Sequence, residues 1–220
     1  MLLHHIQNHT MKPSEVTESL IKLASQDTRY AISNMLNLYS YGSRVYECSG
    51  PESDFDFICV YKSVDSKIEV KDGLVHVTAY SAEEFKKQID LHEMSVLECV
   101  FLPDTADKIV SMDFPFALSL PTLRASVSEL ASHCFVKAKK KLTVEKDFAP
   151  YIGKKSLFHG LRVILFGTQI AKYGRIIDYS EANNYRSDIM TFPDDWESLR
   201  KKYKPEFNRL MTEFRKLAPK

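Results

Sequence analysis

Apolar residues are placed along this chain in two different rhythms. Up to about residue 115 they come in short runs separated by polar turns, and from Pro121 onward they recur at helical spacing. Residues 1–12 are polar and rich in histidine. Pro13-Ser14-Glu15 then reads as a helix start, and Val16, Leu20, Leu23 and Ala24 form an apolar stripe to about Ser25. A short helix over residues 28–34 leads into a first strand at 36–41. A turn and a short helix follow Gly42. A second strand is expected at 54–61, then a weak strand or loop at 64–69, a hairpin-type turn at Asp72-Gly73, and a third strand at 74–80. Ser81-Ala82-Glu83-Glu84 reads as a capped start of a helix reaching about Leu91. Residues 96–102 read as a fourth strand, stopped by Pro103.

The second half reads as helices. Leu123, Val127, Leu130, Ala131 and Cys134 share one side of a helix over residues 122–144, which ends in the basic run Lys137-Ala138-Lys139-Lys140-Lys141. Pro150 and Gly153 punctuate the pattern before a strongly apolar helix over 155–173, closed by Gly174. Residues 178–187 read as a polar loop. Asp194-Asp195-Trp196-Glu197 starts a last helix, interrupted at Pro205 and resumed to Leu217. The expected class is α+β, with an α+β domain over residues 13–115 and a helical domain over 120–217. A cleft between two such domains is a natural place for a substrate.

Composition narrows the class. In 220 residues, 44% are hydrophobic and 11% aromatic, enough for a packed core and unlike a disordered chain. The net charge of +1 leaves nucleic-acid binding to a local patch rather than to the whole surface. Cys48, Cys59, Cys99 and Cys134 are irregularly spaced with no Cys-x-x-Cys pair, which reads as buried thiols in a reducing compartment. Met1-Leu2-Leu3-His4-His5-Ile6 lacks a basic region followed by a long apolar core. No apolar run reaches the roughly 18 residues that span a bilayer. The expectation is therefore a cytoplasmic protein with no membrane partner.

The candidate chemistry lies between residues 42 and 56. Asp54 and Asp56, two residues apart on a strand, point to one face, where unpaired carboxylates repel each other and are costly to bury. A divalent metal held by both would remove that cost; solvated acids at a strand end are the plain alternative. Gly42 lets backbone approach a phosphate, and the Ser43 hydroxyl can donate to it, unless the pair is an ordinary strand-to-helix turn. Arg44 is either a bidentate phosphate ligand or a solvated turn residue. Ser53 is placed to cap or orient the loop into the aspartates. Glu98, in an apolar run, needs a partner. On the apolar helix, His159, Arg162, Phe166 and Gln169 share a side with Lys155 one turn earlier, so they line a ligand site or form a solvated face. Lys137, Lys139, Lys140 and Lys141 with Lys146 could guide an acidic substrate, or simply favour a helix C-terminus.

The Gly-Ser pair, followed about ten residues later by Asp-x-Asp on a strand, resembles the nucleotidyltransferase superfamily typified by DNA polymerase beta, and most of all its small stand-alone members. Val75-His76-Val77-Thr78-Ala79-Tyr80, Phe85 and Val96-Leu97-Glu98-Cys99-Val100 are similar to the family's third strand, next helix and a following Leu-Glu segment. Lys155-Ser156-Leu157-Phe158-His159-Gly160-Leu161-Arg162 is similar to a basic helix of its C-terminal half. The resemblance implies a mixed sheet with flanking helices and transfer of a nucleoside monophosphate from a nucleoside triphosphate (NTP) to an acceptor hydroxyl, releasing pyrophosphate. It implies Mg2+ or Mn2+ on the catalytic Asp54 and Asp56, with phosphates held by Gly42, Ser43, Arg44, Ser53, Lys155, His159 and Arg162. The acceptor would be an RNA 3′ end, a protein hydroxyl or a small molecule. One departure stands out: the family's third carboxylate falls at His76. Imidazole suits manganese better than magnesium. Either His76 is a third metal ligand, or it marks a nucleotide- or RNA-binding module with impaired catalysis. An antitoxin-like interaction partner is a further alternative.

Overall fold

The short apolar runs of the first half assemble into one five-stranded sheet: β1 (Met35–Tyr41), β2 (Phe55–Tyr61), β3 (Ile68–Asp72), β4 (Val75–Ser81) and β5 (Lys108–Val110). The computed structural model describes Glu18, Leu20, Ile21, Lys22, Ser25 and residues 27–220 apart from 65 and 66. The polar, histidine-rich start at 1–12 and the helix start at Pro13-Ser14-Glu15 lie outside the described residues, as do Val16, Leu23 and Ala24 of the stripe. The chain divides into two compact units, Met1–Ala117 and Leu118–Lys220.

In the first unit the strand order is β3-β4-β2-β1-β5. β2 is parallel to β4 and antiparallel to β1, while β1–β5 and β3–β4 are antiparallel, so the sheet is mixed. Alternation sorts the side chains. Phe57, Cys59 and Tyr61 of β2, with Leu38, Val70, Val75, Val77 and Ala79, join Leu20 and Tyr30 in a core on one face. The other face carries Tyr39, Ile58, Val60 and Tyr80. Tyr39 and Tyr80 meet Phe85 of α1 (Ala82–Asp90), with the Tyr39 and Phe85 rings stacked at 5.8 Å. Asp56 continues this second face at the start of β2.

Three strands lie within a residue of the expected 36–41, 54–61 and 74–80. The weak strand of 64–69 is β3, displaced to Ile68–Asp72, and Gly73, with φ of +58°, makes the turn into β4. Residues 28–34 form two 3-10 turns, Thr28–Tyr30 and Ile32–Asn34, rather than one helix. Residues 96–102 are not a strand. Residues 96–100 belong to α2 (Met94–Val100), where the Glu93 carboxylate accepts from the Val96 N–H at 3.0 Å and caps the first turn. β5, absent from the sequence reading, pairs with β1 in its place.

The second unit holds α3 (Leu120–Thr143), α4 (Pro150–Tyr173), α5 (Asn183–Thr191) and α6 (Trp196–Leu217). α4 begins before the expected 155, because Pro150 sits in its first turn, where no N–H is needed. Gly153 is inside the helix and is the first of three glycines seven residues apart, with Gly160 and Gly167. A Cβ on these would lie 2.8 Å from Leu142 Cγ, 3.2 Å from Cys134 Cβ and 2.7 Å from Val127 Cγ2. α3 and α4 therefore pack antiparallel with almost no side-chain spacer between them. Residues 178–187, read as a loop, run into α5, which buries Ile189 and lacks a side-chain cap to announce it. α6 is a single helix that runs through Pro205, with Tyr203 and Phe207 buried on either side of it. No helix among the described residues is long and apolar enough to cross a membrane.

Candidate active site

Strand register builds a row of polar side chains on the second face of the sheet. Tyr41 at the end of β1 lies opposite Asp56, Asp56 lies opposite His76 of β4, and His76 lies opposite Lys71 of β3. Asp54, two residues before Asp56, projects to the same side. β1 runs into the 3-10 turn Gly42–Arg44 through Gly42, whose φ of +81° suits a residue without a Cβ. A Cβ built there would stand 2.4 Å from Asp56 Oδ2. Gly42 is thus fixed twice, by its backbone angle and by the carboxylate resting on it.

Each carboxylate meets a nitrogen-bearing side chain from another strand. Asp56 Oδ1 is 3.2 Å from His76 Nδ1, and Lys71 Nζ donates to Asp54 Oδ2 at 3.0 Å. His76 Nε2 lies 3.9 Å from Glu69 Oε2, and Glu69 is paired with Lys67 at 3.0 Å. The Lys67 ammonium beside Glu69 holds that carboxyl below its ordinary range. Asp54 and Asp56 remain partly open, with side chains 39% and 27% exposed. The loop between Gly42 and Asp54 is shaped by the other expected residues. Arg44 Nη2 donates to the Ser53 carbonyl at 2.8 Å and its guanidinium lies 3.5 Å from the centre of the Phe55 ring. Ser53 Oγ accepts from the Gly50 N–H at 2.8 Å. The Tyr46 hydroxyl donates to Glu98, which is buried on α2.

Two partly exposed carboxylates two residues apart suit a hard divalent ion of the magnesium type, which takes one or two protein carboxylates and completes its shell with water and phosphate. Among the described residues, no three His, Cys, Asp or Glu side chains are gathered as a full ligand set. The open positions on such an ion would therefore belong to substrate and solvent. His76 is brought to the site, and its Nδ1 faces Asp56.

Lys155, His159 and Arg162 lie in the second unit, on α4. Arg162, 7% exposed, donates through Nη2 to His159 Nδ1 at 2.7 Å, and its guanidinium carbon lies 5.6 and 5.8 Å from the Phe158 and Phe166 ring centres. Burial first, then the charges of Arg162, Lys137 and Lys155, hold the His159 ring down at about 3. The ring is neutral, with Nδ1 accepting. Gln169 does not join this cluster: its Oε1 accepts from the Ile177 and Asp178 N–H groups at 2.7 and 2.9 Å, tying the segment after α4 to the helix. Phe166 is fully buried. Of the basic run, Lys137 belongs with the α4 cations, whereas Lys140 pairs with Asp147 at 3.0 Å.

Sequence reading missed Lys71, Tyr46 and the place of Lys137. The hairpin turn at Asp72-Gly73 carried the signal for the first, since it sets Lys71 opposite His76. Nothing local marked the other two.

No family model matches the chain, and no curated protein matches it. Among solved structures it is similar to a spectinomycin adenyltransferase from Enterococcus faecialis, crystallised with ATP and spectinomycin. The identity is 13%, over 92% of this chain and 97% of that one, with a TM-score of 0.48. It is also similar to a nucleotidyltransferase-like protein from Exiguobacterium sibiricum, 9% identical over 92% of this chain and 74% of that one, with a TM-score of 0.31.

Proposed function

We propose that the protein transfers a nucleoside monophosphate from an NTP to an acceptor hydroxyl, releasing pyrophosphate, with Mg2+ or Mn2+ held by Asp54 and Asp56. The observation that carries this reading is the contact of Gly42 with Asp56. It sets a metal-type carboxylate directly beside a Gly-Ser turn suited to phosphate, from positions 14 residues apart in the chain.

When bound, such an ion neutralises phosphate charge and aligns the attacking and leaving oxygens of an in-line displacement. The chain's own residues do the rest. Asp54 and Asp56 supply the anionic floor. His76 fixes the rotamer of Asp56, and Arg44, through the Ser53 carbonyl, fixes the loop that delivers Asp54. Ser43 donates its hydroxyl to a phosphate oxygen. Within the second unit, Lys155 and Arg162 form a cationic group suited to an anion, with neutral His159 orienting the Arg162 guanidinium. The acceptor oxygen bonds to the α-phosphorus as the bond to pyrophosphate breaks, and the hydroxyl proton leaves to a carboxylate or to water. RNA 3′ ends, protein hydroxyls and small alcohols are the acceptor classes to test.

A second reading is nucleotide binding without transfer. It is favoured by His76 standing on Asp56 where the resemblance places a third acid. Labelled-nucleotide transfer and calorimetry on Asp54→Ala and Asp56→Ala separate the cases. Loss of transfer in both variants supports the main reading. Binding that depends on both aspartates, with no transfer to any acceptor class, supports the second. Transfer or binding that survives both substitutions unchanged removes the assigned roles.

A further inference from the structure

Lys71 is the least expected member of the site. It comes from edge strand β3, and its ammonium reaches past β4 to Asp54, the residue just before β2, a lateral distance of about two strand spacings, or roughly 10 Å. It lies 60% exposed and could extend into solvent. Instead its Nζ rests 3.0 Å from Asp54 Oδ2, on the carboxylate that, on the reading above, holds the ion.

A monovalent ammonium and a divalent ion cannot both sit on that oxygen at contact distance without strong repulsion. We propose that Lys71 is a counter-ion for Asp54 that a divalent cation displaces, and that the displaced ammonium then binds the polyphosphate arriving with that cation. The inference rests on Asp54 as a metal ligand. Without metal, the Lys71 ammonium offsets the charge of Asp54 next to Asp56. Bare metal must compete with Lys71, and its affinity is lowered. A metal–polyphosphate complex gives the released ammonium an anionic partner in its place, and its affinity is raised. Lys71 thereby makes the site selective for metal bound to polyphosphate over metal alone. It is a specificity-determining residue rather than a catalytic one.

The consequence is a pair of effects of opposite sign. Mn2+ binding to the full chain is read by the electron paramagnetic resonance of the free ion, first with Mn2+ alone and then with Mn2+ and inorganic tripolyphosphate. An exposed ion pair of this kind changes affinity by about two- to fivefold. Lys71→Met is therefore expected to tighten Mn2+ alone by about that factor and to weaken the Mn2+–tripolyphosphate complex by a similar one. Lys71→Arg should stay near wild type in both. Unchanged or weaker binding of Mn2+ alone by Lys71→Met, or shifts of the same sign in both titrations, overturns the role of Lys71 while leaving Asp54 as a ligand. Asp54→Ala is the control for the underlying reading. Mn2+ binding that it leaves unchanged overturns both.

Discussion

The carboxylate of Asp56 fills the space that a side chain at position 42 would need. A Cβ on Gly42 would stand 2.4 Å from Asp56 Oδ2, and the backbone there has φ of +81°. Gly42→Ala should cost about 1–2 kcal/mol of stability from the backbone angle alone. It should also push Asp56 off its position. The expected result is a modest fall in the urea midpoint with a much larger loss of metal-dependent nucleotide binding. Binding at wild-type strength in this variant would show that the Gly42–Asp56 contact is not part of the site.

His76 offers a separable test, because its Nδ1 faces Asp56 Oδ1 at 3.2 Å while its Nε2 points toward Glu69. An asparagine amide can reproduce a donor near Nδ1, and alanine cannot. On the proposed function, His76→Ala should lower kcat/KM for nucleotidyl transfer by about tenfold, the worth of one hydrogen bond to a charged group. His76→Asn should recover most of that. Equal losses in both variants would point to direct metal ligation by the ring instead.

Tyr46 and Glu98 connect the Gly42–Asp54 loop to the buried side of α2. Tyr46→Phe removes the hydroxyl that donates to a carboxylate 2% exposed to solvent, and should destabilise the protein by about 1–3 kcal/mol. Glu98→Gln, which leaves no charge behind, should cost less. Equilibrium denaturation of the two variants gives the comparison directly.

The second unit carries a pH dependence with a defined sign. Folded His159 is held neutral down to about 3, while in the unfolded chain it takes up a proton near the ordinary 6.5. Below about 6.5 the unfolded state binds more protons, so this residue's contribution to stability falls as pH drops from there toward 3, by at most about 1.4 kcal/mol per pH unit. In His159→Gln, urea midpoints plotted against pH should run flatter than wild type over that window. The gap between the two proteins should be constant above pH 7 and change only below it.

The strands around the site were legible because alternation and turn residues are local signals. β1, β2 and β4 fall where apolar runs meet Gly42, Asp72-Gly73 and Ser81. α2 was misread because Val96, Leu97, Glu98 and Cys99 are all buried, which erases the periodicity that tells a short helix from a buried strand. Gly42, Ser43, Asp54 and Asp56 stand out in the sequence because their spacing resembles the nucleotidyltransferase superfamily. Lys71 and Tyr46 do not. Their partners lie 17 and 52 residues away, and only the register of β3 on β4 and the packing of α2 bring them there.

The glycines at 153, 160 and 167 act on α4 as a mechanical detent. Sliding α4 along α3 by one turn, about 5.4 Å, would drive Ile164 or Ile170 into the slot of Gly167, where even a methyl group would meet Val127 at 2.7 Å. Only a slip of seven residues, about 10.5 Å, would bring glycine back to glycine. The like charges of Lys137 on one helix and of Lys155 and Arg162 on the other therefore cannot relax by slippage. Steric stops set the gauge of that cationic cluster, and an anion meeting it finds a spacing that does not adjust to fit.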